Sequence, residues 1–358
     1  MDPRTPPAPT AARPNAAGAA TPPPTRIPVD TLLDAPLAQA GDRARELADA
    51  GFDGVFTFEG PGDVFLPLVP AAAAGLDIMT NVAIAFPRSP VHLAHAAYDL
   101  HAASGGRFRL GLGSQIKAHI ERRYGATWSR PAARMAETIE AVRAVLTCWQ
   151  TREPLDFHGD FFDLTLMPPT LSPPPNPYGI PPLLAGGVGP RMLEAVACSA
   201  DGLLVHPLNT DAYLTERLLP AVTAGLDRAG RTRDEFALVL DVIVAAGRTE
   251  PELAAATQAA RAMVAFYAST PAYRPVLEAE GYGDLQPEVH ALIRAGRWSD
   301  IPAAVDDTLL HRVVAVGSPK EVAATLTHRA RLAGADRLGF YLPGATDPTC
   351  VMEVLNAF

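Results

Sequence analysis

Cysteine is scarce in this chain: Cys148, Cys198 and Cys350 are the three among 358 residues. They lie far apart and lack C-x-x-C spacing, which excludes a disulfide framework or a cysteine zinc site. Buried small side chains in a reducing, cytoplasmic compartment are expected instead. A run of about 18 apolar residues is also missing, so no membrane span is expected. Positive charge is not in excess. Thirty Lys and Arg stand against 39 Asp and Glu, a net charge of −9, which argues against nucleic acid as the partner. Residues 1–25 are mostly Pro, Ala and Thr and lack the charged start and apolar block of a secretory signal. Such a segment cannot bury enough surface to offset its ordering entropy, so a disordered tail is expected there.

What remains, residues 26–358, is rich enough in apolar residues to form one globular domain. Strand patterns occur at 27–33, 52–58, 78–86, 107–112, 182–185, 201–205, 236–246 and 336–342. Helical patterns alternate with them. Ala40, Ala44, Leu47 and Ala48 fall on one helix face, closed by Gly51. Further helices are expected at 64–75, 90–103, 131–149, 191–199, 211–229 and 319–333. Pro90 suits the first turn of its helix, and Ser318-Pro319-Lys320-Glu321 reads as a capping box. Met135, Ile139, Val142, Leu146 and Trp149 form one apolar stripe. Two segments interrupt the cycle. Residues 151–181 carry a hairpin-like piece around His158-Gly159-Asp160 and a proline-rich loop. Residues 250–312 carry amphipathic helices and read as a cap. Eight strand–helix cycles predict a (β/α)8 TIM barrel with insertions. A Rossmann sheet would need G-x-G-x-x-G, and G-L-G-S-Q-I holds only two of those glycines.

In such a barrel the active site lies at the C-terminal ends of the strands. That rule selects Glu59, the Asn81–Ala85 segment, Gly113–Lys117, Gly186–Gly189 and His206. Gly186-Gly187-Val188-Gly189-Pro190 is the better phosphate cradle, because small residues expose amides and a helix begins at its end. Lys117, His119, Arg122 and Arg123 are candidate anion ligands, and His206 is a candidate acid/base with a pKa near neutral. His92, His95 and Asp99 share a helix face, but no carboxylate-rich set accompanies them, so no metal site is expected.

The run V-H-L-A-H-A-A-Y-D-L-H-A-A-S-G-G-R-F-R-L-G-L-G-S-Q resembles the luciferase-like flavin and deazaflavin oxidoreductases. A-G-F-D-G-V-F, F-H-G-D-F-F and A-G-G-V-G-P resemble them too, and S-Q-I-K-A-H-I-E-R-R-Y-G-A-T-W-S-R-P is similar to a subgroup dependent on coenzyme F420. The resemblance spans about residues 27–342. It implies the same barrel, with F420, or alternatively FMN, in the mouth and its phosphate near Gly186–Gly189. It also implies a non-proline cis peptide near Asn81, Val82 and Ala83, backing the ring. Glu59 would orient the ring, and Gly113, Ser114, Gly186, Gly187 and Gly189 would line the ribityl-phosphate path. Lys117 and the nearby arginines would meet an acidic tail, and His206, His119 and Tyr124 are candidates for proton transfer. The sugar-phosphate branch of the family carries a histidine where this chain has Gly60 and a glutamate where it has Ile116. A sugar phosphate is therefore not the expected substrate. The function expected is hydride transfer between F420 and a small organic molecule. The alternatives are an FMN-dependent monooxygenase and a flavin-binding barrel without turnover. A small-molecule substrate is the expected partner, and a homodimer is a candidate assembly.

Overall fold

A computed structural model describes residues 26–344 and 347–358. The tail expected at 1–25 lies outside the described residues. The chain begins β1 (Val29–Leu32), α1 (Ala40–Asp49), β2 (Gly54–Thr57), α2 (Leu68–Ala72), β3 (Asp77–Thr80) and β4 (Ala83–Ile84). It continues through α3 (Pro90–Ala103), β5 (Phe108–Gly113), α4 (Lys117–Arg122) and α5 (Pro131–Thr151). The hairpin β6 (Phe157–His158) and β7 (Asp163–Leu164) precedes β8 (Leu183–Gly187), α6 (Pro190–Ser199) and β9 (Gly202–Val205). Then come α7 (Asp211–Tyr213), a π turn over Leu214–Leu218, α8 (Leu219–Arg228), β10 (Ala237–Ala246) and α9 (Glu250–Ala268). The chain closes with α10 (Arg274–Ala279), α11 (Leu285–Arg294), α12 (Asp307–Val313), β11 (Val314–Gly317), α13 (Pro319–Ala333), β12 (Arg337–Tyr341) and α14 (Pro348–Ala357).

Strands β1, β2, β3, β5, β8, β9, β10 and β12 pair in parallel and close on themselves. This is the (β/α)8 barrel, with helices outside it. Strand β4 adds to β5, and β11 pairs with the upper half of β10, Ile243–Ala246. The tightest predictions rest on caps. In α3 the Ser89 side chain accepts from the His92 amide at 3.2 Å and Pro90 stands in the first turn. In α13 the Ser318–Glu321 capping box forms in both directions, a device that contributes about 1 kcal/mol per satisfied amide. The α5 stripe is wholly buried at Met135, Ile139, Val142, Leu146 and Trp149, each stabilising by about 2 kcal/mol.

Several elements differ from expectation. Helix 64–75 shortens to Leu68–Ala72. The 78–86 strand is broken after Thr80 and resumes at Ala83. Gly186 and Gly187 belong to strand β8 rather than to the turn after it. Helix α4 occupies the basic segment after β5, and β11 and α14 are additional elements. The 151–181 insertion is tied to the barrel helices at Tyr98, Gln150 and Arg130, and one carboxylate holds its hairpin. Glu137 on α5 accepts the amides of Asp160, Phe161 and Phe162 at 2.9, 2.6 and 2.8 Å. No helix among the described residues is long and apolar enough to cross a membrane.

Candidate active site

The wall of the barrel mouth is set by Val82. Between β3 and β4 the chain passes through Asn81–Val82, a cis peptide, in agreement with the position the resemblance implied. Gly113, at the end of β5, makes room for the valine: a Cβ there would lie 2.3 Å from Val82 Cγ2. Gly186 faces the other methyl, at 3.7 Å from its would-be Cβ. Val82, Gly113 and Gly186 thus join as one apolar surface of low relief, suited to a flat ring.

Glu59 sits beside this wall, its side chain only 8% exposed. Its Oε2 accepts from the Ile84 amide at 2.8 Å and from Arg88 Nη1 at 2.6 Å, and its Oε1 from the Tyr124 hydroxyl at 2.9 Å. Its own amide donates to the Val82 carbonyl at 3.2 Å. The carboxylate therefore fastens β4 and the chain after α4 to the end of β2. Tyr124 is held there as a donor, and burial with the neighbouring carboxylate pushes its hydroxyl pKa up, which works against a role as a proton donor.

The phosphate candidate lies at the start of α6. Gly189 is its N-cap and Pro190 occupies the first turn. The amides of Met192 and Leu193 both donate to the Gly189 carbonyl. Those of Val188, Gly189 and Arg191 donate to no group among the described residues. A Cβ at Gly189 would meet nothing within 4 Å. Open space in front of unpaired amides at a helix N-terminus fits an oxyanion. The Tyr213 hydroxyl donates to the Val188 carbonyl at 2.6 Å and fixes the loop. Arg191 is exposed beside it.

The floor is polar. Asp241, inside β10 and 1% exposed, takes the Asn81 side-chain amide at 3.1 and 2.8 Å on its two oxygens. Burial pushes its pKa well above the usual carboxylate range, with Asp30 adding to the rise and Asn81 opposing it. Asn209 donates to the main-chain carbonyls of His206 and Asp241 at 2.7 and 2.8 Å, and the buried Arg329 grips Asn209 Oδ1 at 2.6 Å.

His206 follows β9, and its pKa is far from the near-neutral value expected from the sequence. Burial pushes its pKa down to about 3, and the ring is half-buried. Tyr273 and Tyr267 cover it, with ring centroids at 4.1 and 4.8 Å.

The other sequence candidates are not gathered here. His119 is exposed on α4, a solvated face rather than a group buried in the mouth. Lys117 is exposed and lies 3.8 Å from Glu121. Arg123 donates to the Gly60 carbonyl at 3.0 Å, and Ser114 to the Gln115 carbonyl at 3.1 Å. His95 stacks on Trp149 at 4.5 Å. Asp241, Asn209, Tyr267, Tyr273 and Tyr341 were missed. For Asp241 the signal was present: one carboxylate inside A-L-V-L-D-V-I-V-A-A is costly to bury. For the tyrosines no local signal exists.

A family profile described as luciferase-like monooxygenase matches residues 16–337. An uncharacterized protein of Mycobacterium tuberculosis is 43% identical over 306 residues, covering 85% of this chain and 90% of that protein. A 5,10-methylenetetrahydromethanopterin reductase of Archaeoglobus fulgidus is 29% identical over 241 residues, 65% of this chain and 67% of its own length. The coenzyme F420 dependent tetrahydromethanopterin reductase of Methanopyrus kandleri superposes with a TM-score of 0.75 at 19% identity, covering 92% of this chain and 96% of that one. With the profile spanning nearly the whole barrel, the chain belongs to the luciferase-like monooxygenase family.

Proposed function

We propose that this oxidoreductase is F420-dependent and moves a hydride between the deazaflavin and a small organic substrate. The observation that carries the reading is the pairing of a low-relief apolar wall with an open amide cradle. Val82, Gly113 and Gly186 would take the ring. Val188, Gly189 and Arg191 would take the phosphate. Lys117, Arg122 and Arg191 are exposed cations that suit an acidic tail. The bound deazaflavin would supply hydride acceptance and donation. The residues supply position: Glu59 holds the wall, and Asn81 with Asp241 holds it from below. The F420-dependent Methanopyrus kandleri reductase, matching in fold alone, keeps this cofactor in view, and the uncharged aromatic side of the mouth favours FMN and oxygen chemistry as the second reading.

Equilibrium binding of F420 and FMN to the purified protein, followed by absorbance and fluorescence, tests the choice. Saturable F420 binding with weaker FMN binding is expected. Tight FMN binding without affinity for F420 would overturn it.

A further inference from the structure

Four polar atoms around the mouth are left for a ligand. Tyr267 stands near the end of α9, Tyr273 in the short turn before α10, Tyr341 at the end of β12, and His206 after β9. The Tyr273 ring lies tilted at 36° over His206 and the Tyr267 ring edge-on at 76°. Tyr341 packs on Phe56 at 5.2 Å. The three hydroxyls and His206 Nε2 bond to nothing among the described residues, and none is among the fully enclosed polar atoms without a partner. Each therefore keeps an accessible edge that a ligand could reach.

Their protonation follows from their neighbours. The Leu208 amide donates to His206 Nδ1 at 3.1 Å, so Nδ1 carries no proton and Nε2–H points elsewhere as a donor. Burial keeps the imidazole neutral and pushes the Tyr273 hydroxyl up to about 12, with Tyr267 and Tyr341 also raised. The acid beside these tyrosines is Asp241, whose burial favours its neutral form. Among the described residues no cation hydrogen-bonds to or pairs with any of the four groups. An anion entering there would be desolvated without a countercharge, whereas a neutral acceptor oxygen would find donors already in place.

We infer that His206 Nε2–H and the hydroxyls of Tyr267 and Tyr273 form the subsite for the oxygen of an uncharged ketone or aldehyde. Carboxylates and phosphates are turned away by the same arrangement. The aromatic faces would hold the rest of the molecule flat beside the Val82 wall. This inference rests on the hydride-transfer reading for its purpose, but its residues are separate from the cofactor cradle.

The test uses the full chain with oxidised F420 bound and its histidines labelled with 15N. Cyclohexanone, cyclohexanecarboxylate and cyclohexylamine, alike in size, are titrated by NMR and calorimetry, with the His206 signal assigned by its loss in His206→Gln. His206 should show the neutral Nε2–H tautomer and shift with cyclohexanone, which should bind at least about 10-fold tighter than the carboxylate. His206→Phe and Tyr273→Phe should each weaken the ketone about 5- to 10-fold, the loss of one neutral hydrogen bond. His206→Gln, which restores an N–H, should recover most of it, and Tyr273→Phe, which removes one oxygen, guards against a folding artefact. Absence of ketone binding, equal affinity for the carboxylate, an unmoved His206 signal or unchanged affinity in both Phe variants would each overturn the subsite. Repeating the titration without cofactor keeps the two readings apart. If F420 fails to bind while cyclohexanone still shifts His206, the cofactor assignment falls and the subsite stands. If F420 binds and the ketone leaves His206 unmoved, the reverse holds.

Discussion

Replacing Glu59 by glutamine should weaken the fold and spare the cofactor. The three groups that Glu59 receives are all protein donors: the Ile84 amide, Arg88 and the Tyr124 hydroxyl. A glutamine carbonyl can still accept from Ile84 and Arg88, and its NH2 can donate to the Tyr124 oxygen, so no partner is orphaned. What disappears is charge. Hydrogen bonds with an ionised partner are roughly twice as strong as neutral ones, and all three lose the ionised acceptor, which gives a loss of about 3 kcal/mol. In a domain of this size that lowers the melting temperature by roughly 4 °C. Glu59→Ala removes all three bonds and strands Arg88, 24% exposed, at a cost of about 4 kcal/mol. The assay pairs thermal unfolding with F420 titration. A brace predicts a lower melting point for Glu59→Gln and an F420 Kd within about threefold of the parent. A Kd raised about 100-fold with an unchanged melting point would refute the brace and make Glu59 a direct cofactor ligand.

Two further perturbations separate the cradle from the barrel. Gly189→Val places its side chain in open space, so melting should be unchanged while cofactor affinity falls by at least about tenfold; unchanged affinity in the F420 titration would remove the phosphate from this loop. Asp30→Asn tests the buried acid under the barrel. Burial raises the Asp30 pKa from 3.8 to about 6, against the pull of Arg337. The folded state then holds the proton more tightly than the unfolded chain, so stability falls as pH rises from about 4 to about 6, by about 3 kcal/mol. Denaturant unfolding at pH 4 and pH 7 should show that fall in the parent and not in the variant, and a difference between the two proteins that stays constant with pH would refute it.

Local signals carried much of the architecture. The α3 boundaries were legible because Ser89 and Pro90 mark a start that no tertiary contact needs to supply. The α13 start was legible for the same reason. Helix α2 was overextended because Pro67 and Pro70 confine it to a short turn-rich segment. Strand β11 was illegible because V-A-V-G continues the apolar end of α12, and period alone does not separate a short strand from a buried helix end. Within the site, Val82, Gly113 and Gly186 could be placed because they sit at strand ends. The pKa of His206 could not, since it depends on Tyr267 and Tyr273, which lie in an insertion whose docking leaves no mark on its own sequence.

The barrel interior links these pieces. Such interiors are ordinarily filled by layers of branched apolar side chains, yet here two layers hold carboxylates. Each occupies space that a neighbouring strand leaves empty. A Cβ at Gly54 would lie 2.2 Å from Asp30 Oδ1, and one at Gly339 would lie 2.1 Å from Asp241 Oδ1. The lower acid is offset by Arg337, whose Nε is 3.2 Å away. The upper acid has the amide of Asn81 instead of a cation, and burial favours its protonated form. A neutral floor under the neutral His206 side leaves compensation of an anion to the Val188–Arg191 amides and the basic rim. Electrostatics alone would then orient a phosphate-bearing cofactor, with its charged end at α6 and its flat ring turned inward against Val82.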